Sequence, residues 1–110
     1  MDERRRRIAE NESRFRELNE RLETVQASLG TENGGIEVLC ECGDRDCTDR
    51  ITLSLADYER VRDDPTAFLV KPGHQNAAGP EHVLEQHPDF TIVRKHGEAG
   101  EVAKQHDPRS

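Results

Sequence analysis

The spacing of apolar positions changes along the chain, and each change predicts a different element. Residues 3–29 hold no Gly or Pro and are dominated by Glu, Arg, Leu and Ala, all good helix formers. Within them Ile8, Phe15, Leu18, Leu22, Val25 and Leu29 recur at steps of seven, three, four, three and four. This is a heptad seam, with Ile8, Phe15, Leu22 and Leu29 at a, and Asn11, Leu18 and Val25 at d. The helix should stop at the Gly-rich stretch 30–35, "GTENGG", where Gly30 can adopt a left-handed cap. Spacing then shifts to alternation. "IEVLCEC" (36–42) and "RITLSL" (50–55) read as two antiparallel strands joined by the turn chemistry of "GDRD".

Further on, Ser54 with Asp57 three residues later forms a capping-box pattern. It opens a short helix over 55–63 whose Leu55, Tyr58 and Val61 face the sheet, closed by Asp64-Pro65. "AFLV" (67–70) is a short apolar strand ended by "KPGH". Residues 75–81 are loop, and 82–86 with 90–95 form a last hairpin turned by His87-Pro88-Asp89. From Gly97 the chain is polar and is expected to be disordered. The fold class that emerges is α+β. A long amphipathic helix (1–29) and a Gly-rich linker (30–35) lead into a small antiparallel sheet with one short helix (36–96). A tail (97–110) follows.

A seam of this length must bury against something, because isolated helices owe most of their stability to packing. Self-association as a coiled coil, packing on the chain's own sheet, and docking on another protein all satisfy that demand. Asn11, the one polar seam position, would fix register or partner number.

Composition sharpens the picture. Only 32% of the 110 residues are apolar, 35% are charged and none is Trp. A sheet domain of this size buries little surface and often needs a staple. The first residues are charged without an apolar core, so no secretory signal is expected. No run approaches the length of a membrane span, and a cytoplasmic setting with reduced thiols follows. Residues 1–29 carry seven acids and seven Arg, so the net charge of −7 arises from residues 30–110. An acidic domain with few aromatics argues against nucleic acid as a partner. The run Arg4–Arg7 reads as a solvated helix start.

All three cysteines lie within eight residues, in "CECGDRDC": Cys40, Cys42 and Cys47. Residues i and i+2 of a strand point the same way, so Cys40 and Cys42 can aim at one point, and the turn can return Cys47 to it. His74, after Gly73 at the end of the third strand, is the candidate fourth ligand. The four make a Cys3His site suited to zinc, closed and structural, with no open position for catalysis. His82 is the rival ligand, and Asp44, Asp46 and Asp49 are further alternatives. Two other readings stand beside the metal: buried structural thiols, and a redox pair of Cys47 with Cys40 or Cys42. No phosphate loop, nucleophile elbow or H-E-x-x-H occurs, so no catalytic residue is assigned. A Cys–His nucleophile ranks below the metal site.

The stretches "NESRFRELNERLE", "VLCECGDRDCTDRITLSLADYERVRDDPTAFLVKPGH" and "VLEQHPDFTIVRK" resemble a group of small, uncharacterised bacterial proteins common in actinobacteria. The likeness runs over most of residues 5–95 and is most specific at C-E-C-x4-C, Y-E-x-V-R and P-G-H. Gln75 stands where the group's pattern has an acid. The resemblance implies that the cysteines and His74 belong together, and it supplies no activity. The function expected is therefore a non-catalytic zinc-binding module for interaction or regulation. Its N-terminal helix would meet a protein partner or a second copy. A thiol-based redox sensor is the alternative.

Overall fold

The structure, a computed structural model, describes residues 3–30, 35–44, 46–75 and 81–109. Chain order is α1 (Glu3–Leu29), β1 (Gly35–Leu39), β2 (Arg50–Ser54), α2 (Leu55–Arg62), β3 (Ala67–Val70), β4 (Glu81–Gln86), β5 (Thr91–Lys95) and α3 (Gly97–Gln105). The fold is α+β, as the spacing predicts. Most of the expected Gly-rich link and of the 75–81 loop lies outside the described residues.

Two antiparallel sheets share one core. β1 and β2 form a ribbon, with Val38 opposite Ile51 and Ile36 opposite Leu53. The second sheet runs in the order β3-β5-β4. Ile36, Val38, Ile51 and Leu53 of the ribbon meet Phe68, Leu69, Val70, Ile92 and Val93 of the second sheet, with Tyr58 and Val61 of α2 between them. α2 starts as its capping pattern requires, the Ser54 hydroxyl accepting from the Asp57 amide at 3.0 Å. Glu41 stitches the sheets together. Its backbone N–H donates to the Leu69 carbonyl at 2.7 Å, and its carboxylate accepts from the Leu69 amide at 2.9 Å.

α1 packs on its own domain, but through its polar face. Ala9, Glu12, Ser13, Arg16, Asn19 and Glu23 are buried. The reason lies in β1. Alternate residues of an edge strand leave N–H and C=O groups unpaired, and here amides from α1 pair them. Asn19 accepts from the Leu39 N–H at 2.8 Å and donates to the Leu39 carbonyl at 2.9 Å. Gln26, seven residues on, makes the same two bonds with Glu37, at 2.9 and 2.8 Å. The seam residue Asn11 also turns inward, donating to the Gly43 carbonyl at 3.3 Å.

The tail expected to be disordered is instead ordered through residue 109, and α3 forms its first part. Ala99, Gly100 and Ala103 are buried, small enough for α3 to lie close on β5 and α1. Arg16 secures the contact, donating to the Ala103 carbonyl at 2.7 Å while its guanidinium sits 4.7 Å over the Phe68 ring. A cation beside the last-turn carbonyls of a helix is favourable. Beyond α3, Arg109 pairs with Glu20 and Glu59.

Beneath α1, the buried ammonium of Lys95 bridges Glu12 and Glu81. Burial pushes the Glu12 carboxyl up to about 7, and Lys95 only partly opposes it. A carboxyl raised on folding holds its proton more tightly in the folded state. Its contribution to stability is therefore full below the ordinary carboxyl range and is lost as the pH rises through 7. Glu12→Gln should remove that part of the pH dependence. Against the variant, unfolding free energies of the metal-loaded wild type should fall by roughly 2–3 kcal/mol between pH 5 and 8. Parallel pH profiles for the two proteins would contradict this.

Candidate metal centre

The ladder between β1 and β2 runs one step past the strands, with the Cys40 N–H donating to the Asp49 carbonyl at 2.9 Å. The chain then turns sharply. Gly43 has φ +84°, and a Cβ there would lie 2.8 Å from Glu12 Cγ and 2.9 Å from Ile8 Cγ2. Only glycine lets the hairpin tip reach this conformation and this closeness to α1. The turn closes with the Cys47 N–H donating to the Asp44 carbonyl at 2.9 Å. An Asx bond from the Asp46 amide to the Asp44 carboxylate, also 2.9 Å, supports it. On the facing segment, Gly73 takes φ +89°, and the His74 N–H donates to the Lys71 carbonyl at 2.9 Å. Two tight turns from separate parts of the chain thus face each other.

Cys40, Cys42, Cys47 and His74 meet between them. One ligand atom from each lies within 4.8 Å of all the others. His74 Nδ1 is 3.6 Å from both Cys40 Sγ and Cys47 Sγ. Two donors bound to one zinc at ordinary Zn–S and Zn–N lengths in tetrahedral array stand about 3.5–3.6 Å apart. The spacing of these side chains therefore fits a shared metal ion. Three soft sulfurs with one imidazole is also a donor set that suits zinc.

The surroundings are arranged for thiolates. Cys40 Sγ accepts from the Lys71 N–H at 3.2 Å. The backbone N–H groups of Asp44 and Asp49 favour the thiolate forms of Cys42 and Cys47. His74 is oriented from its far side, where Nε2 lies 3.4 Å from an Asp49 carboxylate oxygen. A ligating imidazole commonly gives its other N–H to a carboxylate, which fixes the ring and its tautomer. Asp49 thus has a place that sequence reading assigned only as an alternative ligand. Its signal was its position two residues after Cys47.

The thiols also share charge. Hydrogen bonding from Cys40 brings Cys42 down to about 5. The same bond and burial push Cys40 far up, and desolvation raises Cys47. The trio on its own carries one thiolate comfortably. A bound dication would let all three ionise, since metal binding releases thiol protons.

His82, the rival ligand, stacks on His96 instead, with ring centroids 5.9 Å apart. His87 stacks on Phe90 and lies 2.9 Å from Glu85. Of the candidate interaction helix, Ile8 and Phe15 are half-buried at the domain edge. Leu18, Leu22, Val25 and Leu29 are exposed. Sequence reading missed Asn19, Gln26 and Glu41, which hold the hairpin in place. Among the described residues no helix is long and apolar enough to cross a membrane.

Asp49→Asn is expected to weaken metal binding about 10–100-fold, as for other outer hydrogen-bond partners of metal ligands, with the fold intact. Competition against a chelator of known affinity measures it. Unchanged affinity would show that the carboxylate does not orient His74.

Compared with known proteins, the chain matches no family model, no curated protein and no solved structure.

Proposed function

We propose that this protein is a non-catalytic zinc-binding module. A Cys3His site of Cys40, Cys42, Cys47 and His74 clamps the β1–β2 hairpin tip to the turn after β3, and α1 is the surface offered to a partner. The observation that carries this reading is the convergence of the four ligand atoms within 4.8 Å. N–H groups directed at the sulfurs and Asp49 behind the histidine add support. A closed set of four protein ligands leaves no position for a substrate, which favours a structural role. The clamp joins residues 40 and 74, far apart in sequence, which is where a small core gains most from a staple.

Cobalt substitution tests it. The cobalt form should show thiolate charge-transfer bands and the strong visible absorption of a tetrahedral site, and zinc should displace them at one equivalent. A weak octahedral spectrum, or bands that survive loss of Cys47, would overturn it.

One observation favours a second reading. Cys42 lines an open cleft of about 720 Å³ with His74, Asp44, Arg4 and Arg7. A half-exposed thiol facing solvent beside two others suits reversible oxidation. Thiols that resist mild peroxide in the metal-free chain would dismiss it.

A further inference from the structure

We propose that the exposed stripe of α1 docks on the same stripe of a second copy of this chain, in antiparallel orientation about a twofold axis. The proposal rests on the reading of α1 as an interaction surface and names its partner.

Four of the six exposed large apolar residues among those described lie on this helix. They are Leu18, Leu22, Val25 and Leu29, at 43%, 38%, 55% and 80% exposure. Their steps of four, three and four place them in one line, at the heptad spacing that accepts knobs from a partner helix. Beside the line runs a mostly apolar groove of about 390 Å³ between α1 and β1, lined by Leu22, Gln26, Glu37, Val38, Leu39 and Arg50. The patch therefore carries both projecting side chains and a groove to receive them. A surface complementary to itself is what a twofold interface requires.

Charge points to the same occupant. The groove side of the patch is rimmed by the Arg50–Glu37 pair at 2.8 Å, and α1 carries the Arg21–Glu17 pair at 3.1 Å. Residues 1–29 balance to zero, while the rest of the chain holds all of the −7. Along the stripe itself the exposed charges are Arg14 and the mutually paired Glu17 and Arg21, while Glu20 pairs with Arg109, so a second, equally acidic copy meets no acidic surface here. A strongly basic or acidic foreign partner would find no complementary field here.

Orientation follows from Asn11. A polar seam residue that pairs with itself favours parallel helices in register, but the Asn11 amide is already engaged by the Gly43 carbonyl. An antiparallel pair centred on the stripe, between Leu22 and Val25, instead sets Leu18 of one copy against Leu29 of the other, and Leu22 against Val25.

Sedimentation velocity on the zinc-loaded full chain, from about 1 μM to about 1 mM, tests the docking. The expected result is a concentration-dependent dimer. Leu18→Glu and Val25→Glu should each weaken it at least about tenfold, as loss of a central apolar anchor does, with circular dichroism and metal content unchanged. Leu84→Glu, at an exposed apolar site on β4, should leave it intact. In mixed-isotope samples, methyl contacts between copies should join Leu18 to Leu29 and Leu22 to Val25, and contacts joining Leu18 to Leu18 and Leu29 to Leu29 would overturn the antiparallel arrangement. A metal-loaded chain that stays monomeric throughout would overturn self-docking while leaving the zinc module standing. A folded chain that binds no zinc would instead remove the module, whatever its oligomeric state.

Discussion

Cys40→Ser is expected to abolish stoichiometric zinc binding and to cost at least about 2–5 kcal/mol of stability, the range for removing a staple from a small domain. Cys40 is the most buried of the three thiols, receives the Lys71 N–H and stands 3.6 Å from His74 Nδ1. A serine hydroxyl stays protonated at neutral pH and is a poor zinc ligand. Removal of the metal by a strong chelator should have the same consequence in the wild type. Total stability for a chain of this length is only about 5–15 kcal/mol, so much of it would go. Hydrogen exchange should locate the damage at the hairpin tip and the 71–74 turn, leaving β3 and β5 protected longer. A variant that binds one zinc with wild-type affinity would contradict the assignment of Cys40.

Glu41→Ala should be nearly as damaging, for a reason unrelated to the metal. The Glu41 side chain is fully buried and accepts four hydrogen bonds. Two come from Arg62 Nη2 at 2.7 and 2.8 Å, one from the Leu69 amide at 2.9 Å and one from Asn19 Nδ2 at 2.6 Å. Truncation would strand the Arg62 guanidinium, itself buried over the Tyr58 ring at 5.0 Å. Breaking a buried ion pair from one side costs about 3–5 kcal/mol. Replacing both partners by apolar residues costs less, so Glu41→Ala combined with Arg62→Met should be more stable than the sum of the single changes implies. Denaturant unfolding at saturating zinc measures the cycle. Additive single effects would show that the pair is not coupled.

Much of the architecture was legible in the sequence because it follows from local rules. Alternating apolar residues placed β1 and β2, the His87-Pro88-Asp89 turn placed the β4–β5 hairpin, the Ser54–Asp57 pattern placed the start of α2, and Asp64-Pro65 placed its end. The meeting of His74 with the three cysteines was also legible, from strand alternation and the turn at Gly73. Two features were not. The buried face of α1 is its polar one, because the β1 edge needs donors and acceptors that leucines cannot supply and that Asn19 and Gln26 can. Periodicity found the apolar stripe correctly but not the side of the helix that the domain would claim. α3 was hidden because its buried residues are Ala99, Gly100 and Ala103. Glycine lowers helix propensity, and residues this small give no apolar signal. Their value lies in the close approach that they allow, which only the packed structure displays.

Everything proposed for this protein turns on a structural metal site built from Cys40, Cys42, Cys47 and His74. The most direct measurement is the metal content of the full chain, purified under reducing conditions with neither chelator nor a metal-affinity tag, by elemental analysis alongside thiol titration. One zinc per chain is expected, with the three thiols protected from modification until the metal is removed. A folded chain with no metal and three freely titrating thiols would contradict it.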